Sequence, residues 1–598
     1  MNWKKFCSAA LSVAAALVLF ASTSYAALTS PQIMAVGSSG VFTTIGIAMT
    51  QADPITGASM CGSNVWTASS SIASGIDARN GSIPAEGGNI IVVWDNSTTP
   101  NTVCAYLSVD SVVGQRLFLG QAATGNATLS LTAAAETTAG ANKVSFLLDT
   151  ATTGLPSAIY NIVNGAHFNI AFTDIRPEDG QFAYGRAACT RASVTDVSCF
   201  GYGPLGGIGT AILSSYSQTS AQVVAYSISG TDPFTGLAIP AFNTVNLGAI
   251  PVVIFYNTTD TATGGLGNLL PTNINSETAA AFWSGLVGLT DQLVGFSTGS
   301  GKVLHVVMRE PVSGTYNTFE WQVVHARDSY AGGYSQEYNF GPTPNGCFTP
   351  PAPATYVPPT TACANPANVA GSQGSTYGGF RTRAIGTGEM VSAVNSSNNP
   401  DSIGYAFWGL GTFGGKANVK YVAVNGADPL YPNFATSGGS FPSCTGYLNT
   451  APAFSCTGTL PTFDNIKNGA YRVWSTIRAV IYQSYTAPAS GPSVYQLIQA
   501  AQDQAHVNIQ DMVPSVYCSN SACSSTTVGM PSFRSHYPVS GKSANNGTTS
   551  PSTGYCASDQ TAPNCIEEGG DMAGKPFYNI QDQEFYSLTG NELLTWIQ

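Results

Sequence analysis

The stretch Val303–Trp321, VLHVVMREPVSGTYNTFEW, constrains this chain more than any other. Lys302–Met308 is an apolar, β-branched run broken only by His305, which predicts a buried strand. Pro311 cannot continue a ladder, so the chain leaves the strand at Arg309-Glu310. Ser313-Gly314-Thr315 then heads a helix that carries Phe319 and Trp321, with Ser313 as its N-cap. The stretch thus runs from a buried strand through a short loop into a capped helix. It also gathers donors for an oxyanion: free first-turn N–H groups, two hydroxyls, a glycine that admits close approach, and the forked cation of Arg309. The same residues equally make an ordinary capped helix, and this stretch alone does not separate the two.

The pattern recurs along the chain. Gln32–Val36 reads as a strand, followed by Gly37–Phe42 and a helix through Met49. Ile90–Trp94 stands before Asp95-Asn96, and Ala105–Val109 before Asp110-Ser111. Gly81-Ser82 lies in a loop near Asp77 and Arg79. Leu155–Val163 reads as a helix with Pro156 in its first turn. Phe168–Phe172 is a buried strand that ends at Thr173-Asp174, where open α/β sheets place ligands, although a turn aspartate would look the same. Gly248–Tyr256 is another strand, ending at Asn257, and Ser276–Leu286 is an apolar helix. Further on, helices are expected at Gly388–Val394 and Ser493–Ala505, and strands at Ser402–Phe407 and after Trp474. Gly201–Gly209 and the Pro- and Thr-rich Tyr356–Ala364 read as loops, and the segment beyond Cys518 as an irregular appendage.

Residues 1–26 have the basic start, apolar core and small-residue ending of a secretory signal peptide, with cleavage expected before Ala27. Charged residues make up 9% of the chain, against roughly 25% in ordinary domains, which suits an exported, loop-rich protein. A net charge of −11 argues against nucleic acid as a partner. Of the 13 cysteines, Cys7 lies in the signal segment. The others fall as near neighbours: Cys61/Cys104, Cys189/Cys199, Cys347/Cys363, Cys444/Cys456, Cys518/Cys523 and Cys556/Cys565. Without CxxC or His-Cys clusters they read as local disulfides rather than metal ligands, and no cofactor or metal is expected. Gly295–Gly299 matches GxSxG around Ser297, but the nucleophile elbow needs a strand before it and a helix after it, and here a strand is expected to follow.

Taken together, these segments resemble the phosphate-binding protein of bacterial phosphate ABC transporters, a type 2 periplasmic binding protein. The resemblance is carried by Gly37–Phe42, Phe168–Asp174, Pro251–Asn257, Ser276–Gly285 and above all Arg309–Phe319, with its Arg-x-x-x-Ser-Gly-Thr spacing. It continues through Glu389–Val394, Ile403–Tyr405 and Tyr471–Trp474. The resemblance implies an α/β fold of two hinge-linked lobes, carrying here disulfide-stapled insertions and the C-terminal appendage. Lobe 1 would span 27–245 and 400–510, lobe 2 246–399, and the appendage 511–598. The ligand set it implies is Val41, Phe42, Ser82 and Asp174 from the first lobe, with Arg309, Ser313, Gly314 and Thr315 from the second. The implied activity is non-enzymatic capture of inorganic phosphate or a similar oxyanion by an extracytoplasmic monomer that serves an ABC permease. Two departures stand out: Pro311 replaces the family's aspartate two residues after the arginine, and Val41 replaces a threonine. The alternative is a secreted surface or matrix protein that keeps the fold without a transport role; a hydrolase using Ser297 is a remote third.

Overall fold

The computed structural model describes residues 28–50, 60–69, 89–122, 129, 131–137, 154–175, 177, 180, 228, 230–231, 238–283, 287–295, 301–309, 313–324, 336, 380–384, 386–445, 455–468, 470–488, 491–502 and 511–514. The signal segment, Ser82, Ser297, the Gly201–Gly209 and Tyr356–Ala364 loops and the expected appendage beyond Cys518 lie outside the described residues.

The fold is mixed α/β. Among the described residues, twelve strands share one sheet. They are β1 (Ile33–Ser38), β2 (Asn64–Ser69), β3 (Asn89–Trp94), β4 (Val103–Val109), β5 (Ile170–Thr173), β6 (Phe242–Asn257), β7 (His305–Arg309), β8 (Phe380–Ala384), β9 (Ser402–Phe407), β10 (Val419–Tyr421), β11 (Trp474–Tyr482) and β12 (Val513–Pro514). Their order is β2-β3-β4-β1-β5-β11-β6-β9-β7-β8, with β10 and β12 also pairing to β6. Two parallel groups result, β4-β1-β5 and β9-β7-β8. Strands β1, β4, β5, β7 and β9 are buried at every residue, which is why they appear in the sequence as mainly apolar runs.

One long strand joins the groups. β6 runs for 16 residues and changes partner on the way. Phe242–Pro251 pairs with β11, and Val252–Tyr256 pairs with β9. The sequence pattern finds β6 only from Gly248 onward, because Asn243, Thr244 and Asn246 hide its start. The partner change is held by Trp408 N–H to Pro251 O at 2.8 Å and Val252 N–H to Val473 O at 2.9 Å. Gln322 adds a two-way bond to the Trp474 backbone, at 2.8 and 2.9 Å.

The described helices of six or more residues are α1 (Phe42–Thr50), α2 (Ser111–Ala122), α3 (Ser157–Val163), α4 (Ser276–Trp283), α5 (Gly314–Phe319), α6 (Thr387–Asn395) and α7 (Val494–Gln502). α5 continues into a π-helical turn at Glu320–Val324. α2 lies directly on β1 through two glycines. A Cβ on Gly114 would come within 2.4 Å of the Gly37 Cα, and one on Gly37 (φ +134°) within 1.9 Å of the Phe172 carbonyl oxygen. That close approach brings Asp110-Ser111, at the exit of β4, against the exits of β1 and β5.

Two of the expected disulfides are present, Cys61–Cys104 and Cys444–Cys456; the other four cysteine pairs lie outside the described residues. The turn before Ser297 is a 3₁₀ helix, Thr290–Val294, and the next strand is β7, so the described surroundings of GxSxG lack the strand-then-helix order of an elbow.

Candidate functional site

Six segments deliver polar side chains to one buried place, each at or just past a strand end or at a helix start. β1 gives Ser38 and Ser39, β4 gives Asp110 and Ser111, β5 gives Asp174 and β7 gives Arg309. The start of α5 adds Ser313 and Gly314, and the start of α6 adds Thr387. Local chemistry fixes the turns. Ser38 caps a 3₁₀ turn at Ser39–Val41, its hydroxyl accepting from Gly40 N–H at 3.2 Å. Ser313 caps α5 and accepts from Tyr316 N–H at 3.4 Å, as its place before Gly314 predicts.

Arg309 is fully buried. Its Nη2 pairs with Asp110 Oδ1 at 2.6 Å, and its Nη1 donates to Thr387 Oγ1 at 2.9 Å. Thr387 Oγ1 in turn shares a hydrogen bond with Ser39 Oγ at 3.0 Å. These contacts are informative about shape. From β4 to β7 the sheet order counts six strand-to-strand steps, β4-β1-β5-β11-β6-β9-β7. At ~4.8 Å per step a flat sheet would hold those strands about 29 Å apart, far more than an aspartate and an arginine can bridge. The sheet therefore bends so that the carboxyl ends of its two parallel groups face each other.

Asp174 is 2% exposed. Burial pushes its carboxyl up to about 6, opposed by the Ser111 hydroxyl, its own backbone N–H and the charges of Arg309 and Arg478. Its N–H donates to Ser111 Oγ at 3.3 Å, and Ser38 Oγ donates to its Oδ2 at 3.5 Å. Ser475 Oγ donates to its carbonyl oxygen. Asp174 Oδ1 has no hydrogen-bond partner among the described residues. That same oxygen lies against α5: a Cβ on Gly314 would sit 1.6 Å from it. Any larger residue there would have to displace the Asp174 carboxyl. Behind Asp174, Tyr106 donates its hydroxyl to Ser38 O, and burial, with the Asp174 charge adding to it, keeps that phenol protonated.

Asp174, Arg309, Ser313 and Gly314 thus come together from distant parts of the chain. Thr315 is buried one residue further into α5. Val41 and Phe42 follow the Ser38–Gly40 turn with apolar side chains in the core, and the Phe42 ring stacks on Tyr106 at 6.0 Å. The Phe42 N–H donates to Ser39 O, so that donor is engaged within its own turn. Sequence reasoning missed Ser38, Ser39, Asp110, Ser111 and Thr387 as candidates. Asp110-Ser111 carried the same signal as Asp174, a polar pair just after a buried strand; Thr387, after Gly386 in a polar stretch, carried none. Among the described residues no group of three His, Cys, Asp or Glu side chains could hold a metal ion. His305 begins β7, at the far end of that strand from Arg309; it bonds Asn399 at 2.6 Å, and burial holds it near 4, so it stays neutral.

No family model and no curated protein matches the sequence. Solved structures do. The chain is similar to an ABC-type phosphate transport receptor from Vibrio cholerae at 16% identity and a TM-score of 0.21, over 41% of this chain and 62% of that one. It is similar to a high affinity periplasmic phosphate-binding protein (PfluDING) bound with phosphate at 12% identity and a TM-score of 0.29, over 81% and 90%. A possible phosphate binding protein from Planctomyces limnophilus DSM 3776 matches at 8% identity and a TM-score of 0.22, over 56% and 70%. The similarity is one of distant fold, and at these values it carries no weight for the chemistry of the site.

Proposed function

We propose that this protein captures phosphate, or an oxyanion of the same shape, between two lobes that meet along β6 and β11. The observation that carries the reading is the convergence of Arg309, Ser313, Gly314 and Asp174 in one buried cluster, from facing strand ends. In this reading the guanidinium and the hydroxyls donate to the anion, and Gly314 allows its oxygens close to the start of α5. Asp174 has the opposite role. A carboxylate repels an anion unless the anion brings a proton, which Oδ1, without a hydrogen-bond partner among the described residues, would accept. Phosphate and arsenate carry that proton near neutral pH, whereas sulfate does not. The first lobe would hold β1 to β5 with β11 and the second β7 and β8; β9, which the sequence reading assigns to the first lobe with 400–510, pairs with β7 and would side with the second. Export, a monomeric state and delivery to an ABC permease complete the proposal, on the strength of the signal-like N-terminus and the sequence resemblance.

Calorimetry with phosphate, arsenate and sulfate on the wild type and on Asp174→Asn tests it. The wild type should bind the first two and discriminate against sulfate. Asp174→Asn, whose amide can donate, should keep phosphate binding and lose most of the discrimination. A wild type that binds none of the three would end the oxyanion reading.

A further inference from the structure

We infer that Asp110 is a second specificity-determining carboxylate: supplied from the facing group of strands, it holds Arg309 in place and cancels its net charge, so the site favours oxyanions that carry hydrogen over fully deprotonated ones. The inference rests on the oxyanion reading above and goes beyond it, because that reading makes Asp174 the only discriminator and gives Asp110 no role.

The geometry is specific. Asp110 and Arg309 are 4% and 0% exposed and meet at 2.6 Å, so neither charge is screened by water. The chain has Pro311 two residues after Arg309, so no side chain from that loop position can hold the guanidinium. Asp110 does so from across the sheet, while Thr387 takes the other arm of the fork. Asp110 is also next in sequence to Ser111, whose hydroxyl accepts from the Asp174 N–H, and the charge of Arg309 is felt at Asp174 as well, so both carboxylates act on the same guanidinium. An anion that approaches Arg309 meets a guanidinium already neutralised and two carboxylates nearby. One that offers O–H groups can turn those carboxylates into acceptors; one that offers none meets only repulsion.

The experiment is the ratio of phosphate to sulfate affinity, by calorimetry at constant pH and ionic strength, for the wild type, Asp110→Asn, Asp110→Glu and Thr387→Val. Asp110→Asn should raise sulfate affinity relative to phosphate by at least about tenfold, since it removes one buried negative charge beside the anion. Asp110→Glu should restore the wild-type ratio, even if both affinities fall. Thr387→Val loosens the guanidinium without changing charge and should weaken both anions alike. If Asp110→Asn does not fold, Asp110→Glu and Asp110→Gln, which differ in charge alone, give the same comparison. An unchanged ratio in the neutral variant, or an equal shift in Thr387→Val, overturns the role of Asp110 while leaving the oxyanion reading intact. A wild type without oxyanion affinity overturns both.

Discussion

At the scale of single residues, the cluster is a set of charges and contacts that tolerate little change. Arg309→Ala would leave Asp110 as a buried carboxylate without its cation, and breaking such a pair costs about 3–5 kcal/mol, which urea unfolding should read. Arg309→Lys should recover only part of this, because an ammonium cannot reach Asp110 and Thr387 with one planar fork. Gly314→Ala should lower phosphate affinity and cost roughly 1–3 kcal/mol of stability, since its methyl group would overlap Asp174 Oδ1. If alanine there is silent in both assays, the Asp174–Gly314 contact is not a constraint. Asp174 and Arg309 were legible in the sequence because each ends a long apolar run. Their partners were not, because pairing across 199 positions, as between Asp110 and Arg309, leaves no local trace.

At the scale of elements, the strands buried on both faces were the readable ones, and the exceptions have physical causes. β8, Phe380–Ala384, carries Arg381 and Arg383 and so does not look like a strand. The first part of β6 is masked by asparagines, and its length became visible only with its two partners. Strand order was not legible at all, since β11 comes late in the chain and lies between β5 and β6. Cys61–Cys104 pins β4 to the segment after α1, closing a loop with a sequence separation of 43. Replacing both cysteines with serine should cost ~3–4 kcal/mol by freeing the unfolded chain, with a matching fall in thermal midpoint. If reductant leaves the wild-type midpoint where it was, the bond contributes nothing measurable.

At the scale of the whole molecule, buried carboxyls make stability depend on pH in a definite direction. Asp511 is fully buried, with Oδ1 accepting from Leu410 N–H at 2.8 Å, and burial pushes it up to about 7; Asp174 stands at about 6 for the same reason. Both lie above the 3.8 of an ordinary Asp. Their contribution is therefore complete below about pH 4 and is lost as pH rises through 6 to 7. Asp511→Asn keeps the acceptor for Leu410 and removes the titration. It should be more stable than wild type at pH 8 by a few kcal/mol, at ~1.4 kcal/mol per pH unit, and should show a flatter profile between pH 5 and 8 in thermal melts. A parallel profile in the variant would show that Asp511 is not responsible. The position of β11 also sets a timetable for the newly made chain. Residues 170–173 and 242–257 are complete long before residues 474–482 exist to separate and join them. Until then both neighbours present unpaired edges, which are templates for wrong partners. The middle of the sheet is thus the last part to be sealed, and a helper that masks strand edges would be of most use to this chain there.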